Sequence, residues 1–135
     1  MAGLRSPLPG RRFAPSGGMT NRLRLVIFQD APGLWHARGL EHDLAAEGAS
    51  IGQAVRSLAR MMQVHTDYDR RHHHPQLVAF PPAAQRYWNA FATGTAVPLT
   101  TLGVTPPDGW VFQAAFAVRF PGEARYRAQR LEMSA

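Results

Sequence analysis

The sequence predicts an α+β fold: a small antiparallel sheet, built from a three-stranded meander and a later strand, packed against one amphipathic helix, with a second short helix. Three observations carry this. Residues 23 to 48 hold β-rich segments separated by turn residues. Ser50 opens a helix-start signature followed by an apolar stripe of helical period. Trp110 to Phe120 is a long apolar run. The 135 residues suit one domain with irregular ends, because domains commonly run ~100 to 150 residues. A hydrophobic share of 45% supplies a core without a disulfide or metal staple. The expected division is an Arg/Pro/Gly-rich tail over 1–22, one domain over 23–120 and a polar tail over 121–135.

The tail over 1–22 is poor in apolar residues and cannot bury enough surface to offset ordering entropy, so it is expected to be disordered. Met19 stands just before the first strand and is a second possible translation start, which the intact mass of the native protein decides. Leu23-Arg24-Leu25-Val26-Ile27-Phe28 is β-branched and aromatic and ends in the turn cluster Gln29-Asp30-Ala31-Pro32-Gly33. The next strand, Leu34 to Leu40, places Trp35, Ala37 and Gly39 on one face and His36 and Arg38 on the other. A third strand over His42 to Glu47 ends at Gly48 and completes the meander.

Ser50 with Gln53 three residues later forms a capping box, in which each side chain satisfies an orphan backbone donor at the helix start. Ile51, Ala54, Val55, Leu58, Met61, Met62 and His65 then follow helical spacing, with Arg56 and Arg60 on the opposite side. The two Met residues read as core filling rather than a ligand groove. The helix is expected to fray through Thr66 to Arg71 into His72-His73-His74-Pro75, since proline disfavours helical geometry in the residue before it. Pro81-Pro82 opens a short helix over Ala83 to Phe91, with Gly94 as its stop. A Thr-rich connection over Thr95 to Pro107 leads through Asp108-Gly109 to the last strand. Alternation in that strand is imperfect, which fits a strand covered on both faces or one that pairs with another copy.

All 15 basic residues are Arg, and with 9 acids the formal charge is +6. That balance admits a nucleic-acid partner bound through the N-terminal tail. The distribution argues against it, because residues 23 to 92 carry 7 Arg against 6 acids. Arg without Lys, beside abundant Ala, reads as the codon bias of a GC-rich genome. Zero cysteines exclude disulfides, a thiolate zinc site and a Cys nucleophile. Arg11-Arg12-Phe13 resembles the start of a twin-arginine signal, but Ala14-Pro15-Ser16-Gly17-Gly18 follows where an apolar region is required. The uncharged run from Tyr87 to Thr105 is broken by Gly94, Pro98 and Gly103 and is no transmembrane helix. A cytoplasmic location with no membrane contact is expected by elimination.

No motif for nucleophilic, phosphate-loop or cofactor chemistry is present, so neither catalytic residues nor a cofactor is expected. His72, His73 and His74, with His65 upstream, are the metal candidates, since imidazoles bind zinc, nickel or copper. Neighbouring histidines in an extended loop point in different directions, so a solvated loop is the plainer account. His42 and Asp43, beside Glu41, fall on opposite sides of a strand and read as a surface turn rather than an acid-base pair. Asp30, Glu41, Asp43 and Glu47 have no spacing that fits a divalent-ion site. Trp35, Trp88 and Trp110 read as core residues or as anchors for a protein partner rather than as base-stacking platforms.

The order strand, turn, strand, strand, capped helix, carried by Leu25-Val26-Ile27-Phe28, Gly33-Leu34-Trp35-His36-Ala37, Gly39-Leu40, Asp43 to Gly48, Ser50 and Ala54, resembles the HicB-like antitoxin domain over about residues 23 to 66. The resemblance implies a small α+β module similar to a degenerate RNase H fold. It further implies a non-catalytic protein that binds a small HicA-type ribonuclease toxin and self-associates as a homo-oligomer. Residues 95 to 135 show neither the ribbon-helix-helix nor the helix-turn-helix segment that such antitoxins commonly carry for binding DNA.

Overall fold

The computed structural model describes residues 21 to 118; of the expected tail over 1–22 only Asn21 and Arg22 are described, and they belong to the first strand, while residues 119–120 and the expected tail over 121–135 lie outside the described residues. Strand β1 spans Asn21–Ala31, β2 Leu34–Gly39 and β3 Ala45–Gly48. Helix α1 follows over Ile51–Arg71, then α2 over Gln85–Ala92, β4 over Thr95–Val97, a 3-10 turn over Leu99–Leu102 and β5 over Trp110–Phe116. The fold is α+β, a five-stranded open sheet in the order β3-β2-β1-β5-β4 with a helix on each face. The meander pairs antiparallel as expected, but β5 lies parallel to β1, so the sheet is mixed rather than wholly antiparallel. A parallel neighbour needs a long crossover, and α1, α2 and the Thr-rich connection supply it.

Register decides which side chains share a face. Leu25 pairs with Gly39 and Ala114, and Ile27 with Ala37 and Phe116. Of these, Leu25, Ile27, Ala37 and Ala114 join Leu23 and Trp110 on the face toward α1 and meet Ala54, Val55, Leu58 and Met62 in the larger core. The alternate residues Val26 and Phe28 face α2 and form a second core with Leu40, Ala83, Tyr87 and Ala117. β5 is covered toward α1, where Ala114 is buried; on its other face Ala115 is buried but Val111 and Gln113 are exposed. Trp35 and Phe116 meet across the first face with ring centroids 5.7 Å apart.

The capping box forms: Ser50 Oγ accepts from the Gln53 backbone N–H at 3.1 Å, while Gln53 Oε1 accepts from the Ala49 N–H. The helix does not fray at Thr66. It continues to Arg71 because Thr66 and Asp69 are buried and Asp69 Oδ2 accepts the Leu77 N–H at 2.7 Å. That bond ties the histidine loop back to the helix and holds Leu77, fully buried, at φ 60°, a left-handed conformation that bulky residues rarely adopt. Two residues before Asp69, the Gln63 amide and then the Arg70 guanidinium hold the Asp67 carboxyl below the ordinary aspartate range. A depressed folded value means that this contribution to stability is present at neutral pH and lost as pH falls through it. Carbon-detected NMR titration is expected to place the Asp67 midpoint below that of a free aspartate, and Gln63→Ala to move it upward.

Candidate functional site

Four carboxylates converge on the side of the sheet formed by β1, β2 and β3, but they divide into separate partnerships. Glu41 accepts from Arg24 twice, from the backbone N–H at 2.8 Å and from Nε at 2.6 Å. Asp43 takes Nε of Arg38 at 2.6 Å, and Nη1 of the same guanidinium donates to the Tyr87 hydroxyl at 2.7 Å. Asp30 and Glu47 flank His36, with Oδ2 of Asp30 3.4 Å from Nε2 and Oε2 of Glu47 3.8 Å from Nδ1. Among the described residues they are not grouped with one another to hold a metal ion.

The His36 ring is only 7% exposed and stacks on Phe28 at 4.9 Å and 11°. Its position follows from alternation, because β2 turns His36 and Arg38 toward α2 while Trp35 and Ala37 face α1. Arg38 lies over the Tyr87 ring at 4.3 Å, so a cation, a carboxylate and a phenol tie β2, the loop before β3 and α2 into one unit. Charge-assisted hydrogen bonds of this kind fix geometry. The network can hold the β3 edge in place relative to the rest of the sheet. His42 and Asp43 sit in the loop before β3 rather than within it; the His42 Nδ1–H donates to the Phe80 carbonyl at 3.0 Å.

The histidine run lies just beyond α1, and all three residues are exposed. His72 stacks on Tyr68 at 4.0 Å and donates from Nδ1 to the Tyr68 carbonyl. His74 has Nδ1 3.7 Å from Asp69, and the His72 and His74 rings are 5.8 Å apart. His73 adopts φ 59°, and His65 packs edge-on against Phe80 at 4.7 Å, so these two are separated from the pair. Among the described residues, no three His, Cys, Asp or Glu side chains are grouped to hold a metal ion.

The three tryptophans also separate. Trp110 is 7% exposed and donates from Nε1 to Gln76 Oε1 at 2.8 Å; it is a core residue and offers no surface to a partner. Trp88 is half-buried under the Arg24 guanidinium at 4.8 Å, and Trp35 is half-buried against the larger core. What remains open is backbone: β3 and β4 are the two edges of the sheet among the described residues. Both are short, as exposed edges tend to be when indiscriminate pairing is avoided. Sequence reasoning missed His36, whose role depends on strand register, since only the pairing of Glu47 and Phe28 with it builds its surroundings.

Residues 21 to 118 hold 8 Arg against 7 acids, so most of the +6 charge lies outside the described residues. No helix among the described residues is long and apolar enough to cross a membrane. No family model, curated protein or solved structure matches the chain.

Proposed function

We propose that this chain is a non-catalytic, HicB-like protein-interaction module that acts in the cytoplasm, self-associates and neutralises a small basic ribonuclease toxin. The observation that carries the reading is the open edge of β3, held by the Arg38 network, beside a net acidic stretch: four carboxylates, Asp30, Glu41, Asp43 and Glu47, face two arginines, Arg38 and, bonded to Glu41 from β1, Arg24. A strand edge gives a partner main-chain hydrogen bonds, and acidic surroundings speed association with a basic one. The meander followed by a capped helix supports the HicB-like build, since that unit carries the resemblance. The near-neutral body disfavours nucleic acid as the primary partner, because phosphate binding scales with the number of basic contacts.

Purification of a tagged copy from the native host at moderate salt is expected to recover a small basic protein in fixed ratio. Expressing that protein alone is expected to arrest growth, and co-expression of this chain to relieve the arrest. Recovery of the chain only as a homo-oligomer, or of a partner whose expression leaves growth and RNA intact, overturns the toxin reading. Binding to RNA that falls steeply with salt and vanishes on deletion of residues 1–22 replaces it with a nucleic-acid function.

A further inference from the structure

A second surface, on the other side of the molecule from the Arg38 network, carries an inference independent of the toxin reading. The outer flank of α1 and the loop between Gly103 and Asp108 enclose an open groove of about 460 Å³, within the range of small-molecule sites. One wall carries Arg56, Arg60 and Gln63, spaced so that they share one face of the helix. The opposite wall carries Thr105 and Asp108, and the buried residues Ala59 and Pro107 contribute apolar lining.

The two arginines differ from three others of the body. Arg24, Arg38 and Arg70 each pair with a carboxylate, on Glu41, Asp43 and Asp67. Arg56 instead donates Nη1 to the Leu102 carbonyl at 3.1 Å, and Arg60 donates Nη2 to Ser57 Oγ at 3.3 Å. Neither forms an ion pair with a carboxylate among the described residues, and Asp108 lines the groove without bridging to them. Each guanidinium has five donors, so most of both forks remain uncommitted. Like charges four residues apart on a helix repel, and an anion held between them would relieve that repulsion. The facing loop is pre-shaped: Gly103 at φ 66° and Gly109 at φ 83° turn its two ends, and Pro106-Pro107 stiffens its middle. A pre-shaped wall lowers the ordering cost of binding.

From this geometry we infer that the groove binds a small organic phosphate, its phosphate on Arg56 and Arg60 and a hydroxyl or amine of its carbon skeleton toward Asp108. Paired guanidinium forks match a phosphate dianion in charge and shape. The acid across the groove selects against a ligand that is anionic at both ends.

The test is titration of the full chain with inorganic phosphate against sodium chloride of equal ionic strength, followed through the amide signals of Gly103, Val104, Thr105 and Asp108 and the arginine Nε signals. Saturable shifts confined to those groups are expected with phosphate alone. Arg60→Ala, which loses only a contact to its own helix, is expected to weaken binding roughly tenfold, while Asp108→Asn tightens it. Arg56→Lys keeps the charge and loses the fork, and is expected to weaken binding as well. Shifts that sodium chloride reproduces, no saturation by about 100 mM phosphate, or an Arg60→Ala variant that binds as before each overturns the assignment. A single-stranded oligonucleotide that binds more tightly and shifts signals beyond the groove also overturns it, in favour of a nucleic-acid backbone.

Discussion

Replacing Trp110 with Ala is expected to lower the unfolding free energy by about 3 to 5 kcal/mol, the range for removing a large aromatic side chain from a core. The ring stands at the start of β5, is 7% exposed, and joins the larger core beside Leu23 and Leu77. Its Nε1–H is bonded to Gln76, and the His42 ring meets it edge-on at 6.0 Å, so one residue ties β5 to the loop after α1 and to the loop before β3. The loss is a large share of the stability of a domain that has about 5 to 15 kcal/mol in all. Trp110→Phe keeps most of the apolar volume and gives up the hydrogen bond, so a smaller loss is expected. Chemical denaturation of the two variants separates these contributions. A near-neutral Trp110→Ala would mean that the ring is not buried in solution, and would return it to the set of partner anchors with Trp35 and Trp88.

The behaviour expected of Trp110 depends on pairing that a single sequence does not display. The meander and the start of α1 were legible because their signals are local: alternation through Trp35 to Gly39, turn residues at Pro32-Gly33, and the Ser50–Gln53 box. Asn21 and Arg22 belong to β1 rather than to the tail because β5 lies beside them, with Asn21 opposite Trp110 and Arg22 opposite Val111. The end of α1 departs from its local signals for a similar reason. Local chemistry favours fraying before Pro75, but burial of Thr66 and the bond from Leu77 to Asp69 outweigh it. β4 has three residues, too few to show a period within the Thr-rich connection, and it exists because β5 offers it an edge. The carboxylates of the candidate site were visible as residue types, whereas their division among Arg24, Arg38 and His36 comes from register and loop closure.

Gly48→Ala is expected to cost about 3 kcal/mol, at the upper end of ordinary overpacking, because the neighbours that must yield are backbone. A Cβ at Gly48 would lie 2.5 Å from the Ala54 nitrogen and 2.9 Å from the Gln53 carbonyl carbon, so β3 and the first turn of α1 would have to move apart. That movement would strain the Ser50–Gln53 capping box and lift Ala54 and Val55 from the core. Gly52→Ala, four residues away, makes the contrast: its nearest neighbour is the Arg56 guanidinium end at 3.0 Å, which can swing aside. Removing glycine from a helix then raises stability by about 0.5 kcal/mol. Opposite signs for the two variants in denaturant melts would establish that β3 is pressed against α1, and hence that the strand edge proposed for partner binding is held rigid from behind. Equal, small effects would mean that β3 is loosely docked, in which case a partner would have to order the edge it binds and association would be correspondingly weaker.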